Sequence, residues 1–133
     1  MSTDIYNRNF DKLEKLGIID LINTRKEAAK SKCDGFMDLH FDRLYEEDGT
    51  VIIALAHYFK QNGDLCSDPD MQIRVHPEQR TAEALTFQQA LPPVYQEVYP
   101  APGKVIPRLK KELNSFLSTW LHNCIQQGHK FTL

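Results

Sequence analysis

Asp38, His40 and Asp42 form one of two short clusters with the composition that metal-binding or acid–base chemistry requires. They alternate along a predicted strand, so their side chains share one face at intervals of about 6–7 Å. Two carboxylates and an imidazole in this arrangement can hold a metal ion or orient a catalytic histidine. The competing interpretation is a solvated sheet face without a site. We favour the solvated face, because polar residues that alternate along a strand usually face water.

The second cluster lies between Gln61 and Asp70, a stretch rich in turn-forming residues. Asn62, Asp64, Asp68 and Asp70, which we call the turn cluster, carry the oxygen ligands that Ca²⁺ and Mg²⁺ prefer. Their spacing lacks the glycine and the glutamate of an EF-hand loop. Asn and Asp also stabilise turns by hydrogen-bonding their own backbone. A structural turn is therefore the favoured interpretation, and a metal or acid–base site is the alternative.

His57 is a further catalytic candidate. In the register derived below it lies on the core face of its strand, between Leu55 and Phe59. A buried histidine satisfied by one hydrogen bond is the simpler interpretation. The alternative is a catalytic role together with the carboxylates of the turn cluster.

Candidate binding residues concentrate in the last third of the chain. Two tyrosines lie in a proline-rich stretch, where ordered aromatic side chains make effective interface anchors. Three basic residues begin the final helix, and positive charge there opposes the helix dipole, which hints at an acidic or phosphate-bearing partner. With the asparagine of the turn cluster, the candidate binding residues are Asn62, Tyr95, Tyr99, Arg108, Lys110 and Lys111.

Composition narrows the class of protein. The 133 residues carry 16 basic and 18 acidic side chains, and a net charge of −2 argues against a dedicated nucleic-acid binder. Three widely spaced cysteines indicate free thiols in a reducing compartment. The N-terminus does not resemble a signal peptide, and the apolar runs are far shorter than the ~20 residues of a membrane span. We expect a cytoplasmic protein without a membrane segment. Since no phosphate-binding loop or other cofactor motif occurs, we also expect no cofactor.

These residues are positioned by a predicted α+β fold in which residues 1–133 form a single domain. Residues 4–32 form an N-terminal helical segment, of which 23–32 is either a helix tail or a mobile loop. An antiparallel meander of about four strands occupies about 36–99. Apolar residues recur at steps of three and four over about 107–127, which predicts a long amphipathic helix packed on the sheet. The expected strands are Phe36–Tyr45, Thr50–Lys60, Met71–His76 and Ala82–Gln88, with a short extended piece at Val94–Val98.

The first hairpin allows a register to be predicted. A three-residue loop often ends with a left-handed glycine, and residues 47–49 (Glu-Asp-Gly) fit that pattern. Strand pairing then follows by counting back from the loop. The expected partners are Glu46 with Thr50, Phe41 with Leu55, Leu39 with His57 and Met37 with Phe59. Because all but the first of these pairs bring core-face residues together, turn chemistry and hydrophobic pattern agree.

Several strings resemble a family of unknown function found in bacterial and mobile-element proteins. They are AHYFKQNGD at 56–64, DPDM at 68–71, VYQEVY at 94–99 and FLSTWL at 116–121. The end of the chain is also similar to the YqiB-like uncharacterised proteins of proteobacteria. The resemblance covers roughly residues 35–128. It implies that these segments form one domain, and it carries over no catalytic or ligand-binding residue.

We therefore expect a non-catalytic protein-interaction or accessory protein, associated with a mobile element, whose partner is another protein. One alternative is a metal-assisted or acid–base enzyme that uses His57 with Asp64, Asp68 or Asp70, or the face formed by Asp38, His40 and Asp42. The other is a nucleic-acid-binding accessory protein. It would use Arg108, Lys110 and Lys111 together with the basic stretch 25–32.

Overall fold

Three helices and seven strands make up the fold in a computed structural model that describes residues 4–133, apart from the side chains of Gln61 and Leu65. The helices are α1 (Ile5–Lys15), α2 (Ile18–Asn23) and α3 (Pro107–Gln127). The strands are β1 (Ala28–Ser31), β2 (Leu39–Glu47), β3 (Thr50–Gln61), β4 (Asp64–His76), β5 (Thr81–Ala84), β6 (Thr86–Gln89) and β7 (Val94–Glu97). No described helix has the length and apolarity needed to cross a bilayer.

The strands form one antiparallel sheet in the order β1-β2-β3-β4-β6-β7, with β5 also paired to β4. The prediction of an α+β fold with an antiparallel sheet and a packed C-terminal helix is confirmed, but the expected number of about four strands is wrong. Residues 28–31 form an edge strand on β2, although 23–32 were expected to be helical or mobile. The strand expected at Ala82–Gln88 is divided at Leu85 into β5 and β6, and the pairing with β4 shifts by one residue between Ala84, opposite Ile73, and Gln88, opposite Asp70.

Two of the four predicted β2–β3 pairs are correct, although the predicted loop is wrong and Thr50 pairs with Glu47 instead of Glu46. The turn of this hairpin has two residues, Asp48 and Gly49, both with positive φ, so that the strand pairs begin one position later than expected. A bulge between Arg43 and Tyr45 then shifts the ladder back by one residue. The predicted pairs of Phe41 with Leu55 and Leu39 with His57 consequently hold, whereas that of Met37 with Phe59 does not, because β2 begins at Leu39.

The β3–β4 hairpin replaces the long turn expected at 61–70. Only Asn62 and Gly63 turn the chain, both with positive φ, and Gln61 pairs directly with Asp64. Strand β4 therefore begins at Asp64, seven residues before the predicted start at Met71. A register shift between Ala56 and Tyr58 accommodates the proline that suggested a turn, since bulges are among the few strand positions that tolerate proline.

One face of the sheet and the helices α1 and α3 share a single hydrophobic core. Alternate strand residues such as Ile53, Leu55 and Ile73 supply the sheet side, and Phe10 and Leu117 are among the helix residues that cover them. Helix α3 has the predicted bounds, with proline in its first turn and a left-handed glycine after its last residue. The outward face of β2, β3 and β4 carries the residues that alternate with this core.

The segment that follows α3 returns to the beginning of the chain. The Phe131 amide donates to the Leu16 carbonyl at 2.7 Å, and the buried Phe131 ring packs edge-on against Phe41. Gly17, with φ of +85°, allows this approach because a Cβ atom there would lie 2.2 Å from the Phe131 carbonyl oxygen. The tail is thus an integral part of the core.

Candidate functional site

A cavity of about 240 Å³ opens where α1, the β4–β5 hairpin and the first turn of α3 meet. We call it the tyrosine–lysine cavity. Arg74 on β4 and Glu83 on β5 reach it as direct cross-strand partners, on the face opposite to the buried Ile73 and Ala84. The residues that line it are Tyr6, Thr50, Arg74, His76, Gln79, Thr81, Glu83 and Lys110.

The Glu83 carboxylate organises the charged groups of this cavity. Its Oε1 accepts a hydrogen bond from Arg74 Nη1 at 3.2 Å, and its Oε2 accepts one from the Tyr99 hydroxyl at 2.8 Å. The Lys110 Nζ lies 3.9 Å from Oε2. Burial, assisted by the hydrogen bond to Glu83, raises the pKa of Tyr99, so the phenol is protonated at neutral pH.

Two tyrosine rings hold Lys110 in position. The Lys110 Nζ lies 5.7 Å from the ring centroids of both Tyr6 and Tyr99, within the range of cation–π attraction. Arg74 Cζ is also 5.7 Å from the centroid of the Tyr99 ring. The hydrogen bond with Tyr99 raises the pKa of Lys110, so the ammonium is charged at neutral pH. Both cations are thereby pre-positioned on the scaffold.

A second cavity, of about 480 Å³, adjoins the first and shares Tyr6 and Lys110 with it. Its lining is largely apolar, and one additional cation, Lys111, contributes to it. The residues that line it are Ile5, Tyr6, Val105, Pro107, Lys110, Lys111, Asn114 and Ser115. The two cavities together combine a cationic centre with an apolar flank.

The structure brings some of the predicted binding residues together and separates others. Tyr99 and Lys110 meet at Glu83, and Lys111 lies in the adjoining cavity. Arg108 instead forms an exposed ion pair with Glu112 on the next helical turn. The remaining two candidates lie elsewhere on the surface: Tyr95 is exposed on β7 and Asn62 is exposed in the β3–β4 turn.

Sequence reasoning missed the other residues that build the tyrosine–lysine cavity. Tyr6 gave no signal, since an aromatic residue in a helix is usually part of the core. Arg74 and Glu83 did leave a signal in the alternation of the strands. Arg74 lies between the buried Ile73 and Val75, so a register for the β4–β5 hairpin would have placed the two charges opposite each other.

His57 is held on both sides of its ring in the core. The Asp38 carbonyl accepts from Nδ1 at 2.9 Å, which assigns the proton to Nδ1 and turns the bare Nε2 toward Cys124 Sγ at 3.7 Å. The Trp120 ring packs edge-on at 5.4 Å. Burial lowers the pKa of His57 and raises that of Cys124 to about 12. This Cys–His pair is a neutral packing contact, because catalysis needs a thiolate.

A second buried histidine lies beside the first, with ring centroids 5.9 Å apart. His129 Nε2 donates to the Met37 carbonyl at 3.0 Å, and Nδ1 accepts from Ser31 Oγ at 2.9 Å. Ser31 Oγ in turn accepts from the Lys130 amide at 3.1 Å. Burial, followed by the proximity of His57, lowers the pKa of His129. The two neutral imidazoles thus anchor the backbone that leads into β2.

The carboxylates proposed as partners of His57 are dispersed. Asp68 lines an open cavity of about 440 Å³ together with His57 and Trp120. Asp64 is exposed next to the β3–β4 turn. Asp70 pairs with Ala56 in the ladder, which places it on the outward face and away from the histidine. Only one of the three carboxylates therefore shares a cavity with His57.

The outward face collects the other cluster of titratable groups. His40 packs edge-on against Tyr58 with ring centroids 5.0 Å apart, and Asp42 is exposed. Burial raises the pKa of Asp70, and the negative charge of Asp42 adds to this effect. Within residues 4–133, no three His, Cys, Asp or Glu side chains are placed to hold a metal ion.

Comparison with known proteins matches residues 11–130 to a family described as a domain of unknown function, DUF6908. No curated protein matches the chain, and no solved structure does so either. The match begins within α1 and spans α2, the entire sheet and α3, and it agrees with the expectation of a domain of unknown function. The chain therefore belongs to the DUF6908 family.

Proposed function

We propose that this domain is a non-catalytic protein-interaction module that contacts its partner at the tyrosine–lysine cavity. One observation carries the proposal: Arg74, Lys110 and Tyr99 converge on a single carboxylate at the surface, and a second tyrosine ring packs against Lys110. Tyrosine and arginine are enriched among the residues that dominate binding energy at protein interfaces. The apolar cavity beside this cluster adds the hydrophobic area that such an interface needs.

An enzymatic alternative has weaker geometric support. Both ring nitrogens of His57 already have partners, and Cys124 is fully buried as a thiol. Asp68 is the carboxylate that shares a cavity with His57, but burial lowers the pKa of this imidazole. The tyrosine–lysine cavity holds cations, phenols, one engaged carboxylate and His76, whose Nδ1 accepts from the Gln79 amide at 3.4 Å. It offers binding groups rather than a nucleophile activated by a base.

The nucleic-acid alternative requires one continuous basic surface. The basic stretch 25–32 includes β1, at one edge of the sheet, whereas Lys110 contacts Glu83 on β5, beyond β4. Four strand spacings separate β1 from β5, or about 19 Å. Arg108 is also partly neutralised by Glu112. A protein partner that contacts a smaller surface of charged and apolar residues suits this arrangement better.

The proposal assigns the protein to the bacterial cytoplasm as an accessory of a mobile element. The free cysteines Cys33, Cys66 and Cys124 are what a reducing compartment favours. The mobile-element association rests on the AHYFKQNGD string at 56–64. Detection of the native protein in a periplasmic or secreted fraction would overturn the assignment to the cytoplasm.

Affinity capture with matched charge variants tests the interaction. Partners retained by the wild-type chain should be lost from Lys110→Glu and from Tyr99→Ala, because both changes dismantle the cluster around Glu83. Lys26→Glu is the control, since Lys26 is exposed and lines neither cavity. Circular dichroism confirms that each variant is folded. Identical partner sets from Lys110→Glu and Lys26→Glu would refute the proposal.

A further inference from the structure

We infer that the group received by the tyrosine–lysine cavity is a phosphoryl group carried by the protein partner, an inference that rests on the proposed function. The charges of the cavity support it first. Arg74 and Lys110 contribute two positive charges and Glu83 one negative charge, so the cluster has a net positive charge. This net positive charge favours an anionic ligand.

Both cations keep hydrogen-bonding capacity for such a ligand. Among the described residues, the Arg74 guanidinium makes one hydrogen bond, through Nη1 to Glu83, and it has five N–H groups in all. The 3.9 Å between Lys110 Nζ and Glu83 Oε2 exceeds the length of a hydrogen bond, so this contact is an ion pair only. Glu83 thus positions the two cations and leaves some of their hydrogen-bond donors available for a ligand.

The hydroxyl groups that line the cavity and the volume of the cavity also favour a phosphoryl group. Tyr6 and Thr81, which both carry hydroxyl groups, also line the cavity. Three phosphoryl oxygens can accept from an arginine fork, an ammonium and a hydroxyl at once, whereas a carboxylate has only two oxygens. A volume of about 240 Å³ is below the ~300–1,000 Å³ of pockets that enclose whole small molecules. It suits one functional group of a larger partner.

Titration of the full-length protein with inorganic phosphate, followed by amide chemical shifts, tests the site directly. We expect saturable shifts confined to the amides around Arg74, Thr81, Glu83 and Lys110, and much smaller ones with acetate. Lys110→Gln should weaken phosphate binding roughly 10–150-fold, since a hydrogen bond to a charged group contributes about 1.5–3 kcal/mol and each ~1.4 kcal/mol is tenfold. The matched control Lys26→Gln should leave the affinity unchanged. Equal losses in both variants, or equal binding of acetate, would overturn the inference.

Phosphatase treatment of the lysate before affinity capture separates this inference from the proposed function. We expect the partners that depend on Lys110 to be lost after treatment. Capture that still depends on Lys110 but survives phosphatase would overturn the phosphoryl assignment and leave the interaction module standing. Capture that never depends on Lys110 refutes the interaction proposal itself, whatever the phosphate titration shows.

Discussion

Replacing Asn9 by leucine should stabilise the domain, although the substitution removes a polar residue from a helix. Asn9 is fully buried on α1, and among the described residues neither its Oδ1 nor its Nδ2 has a hydrogen-bond partner. A buried polar group without a partner costs about 1–3 kcal/mol. Leucine places the same number of side-chain heavy atoms in the same branching pattern and has the higher helix propensity. We expect Asn9→Leu to raise the free energy of unfolding by about 1–2 kcal/mol, or roughly 4 °C in Tm per kcal/mol.

Asn114 is the matched control, because it is a similarly buried asparagine whose amide oxygen and nitrogen are both hydrogen-bonded. Its Oδ1 accepts from the Ala84 amide at 2.8 Å, and its Nδ2 donates to the Lys110 carbonyl at 2.7 Å. Asn114→Leu leaves the Ala84 N–H buried without an acceptor and should lower stability by about 2–3 kcal/mol. Urea unfolding monitored by circular dichroism measures both variants. A folded Asn9→Leu protein that is less stable than wild type would refute the reasoning.

Two further perturbations test the buried histidines and the contact between Gly17 and the C-terminal tail. Burial lowers the pKa of His57 and His129, so the unfolded chain binds more protons and stability should fall as the pH drops below the unfolded value of about 6.5. The Tm should therefore decrease between about pH 7.5 and pH 5.5, and it should decrease less in His57→Gln. A flat profile in the wild type would contradict this. Asp70, with its raised pKa, stabilises the fold as the pH falls further and so acts in the opposite direction at lower pH. Gly17→Ala should destabilise by more than the ~1–2 kcal/mol of a left-handed alanine, because the new Cβ would also strike the Phe131 carbonyl oxygen. Hydrogen exchange at the Phe131 amide should accelerate in this variant, and an unchanged rate would argue against the close approach.

Local signals accounted for the parts of the fold that depend on one segment at a time. The α3 bounds follow from apolar spacing with a proline in the first turn and a glycine at the end, all within residues 107–128. The partners of Phe41 and Leu39 were also predicted, but through two errors that cancelled, since the loop is one residue shorter than expected and the bulge shifts the ladder back. A correctly predicted strand pair is therefore weak support for the turn type from which the pairing was derived.

Non-local contacts explain what could not be predicted. Strand β1 has no hydrophobic alternation and exists because β2 offers it an edge. Proline and aspartate at 68–70 have the composition of a turn, yet neighbouring strands hold them in β4. The tyrosine–lysine cavity draws Tyr6, Arg74 and Lys110 from three separate elements. No spacing along the chain relates such residues until the strand registers are known.

The return of the C-terminal tail to the beginning of the chain has a consequence for biosynthesis. His129 is hydrogen-bonded to Ser31, 98 residues earlier, and Phe131 completes the packing around Phe41. A nascent chain can form α1 and the hairpins while it is still attached to the ribosome, but the part of the apolar face that α3 and the tail cover stays exposed until the residues after α3 have left the exit tunnel. Translation at about 5–20 residues per second makes that interval several seconds long. During that interval the exposed apolar surface is of the kind that promotes aggregation.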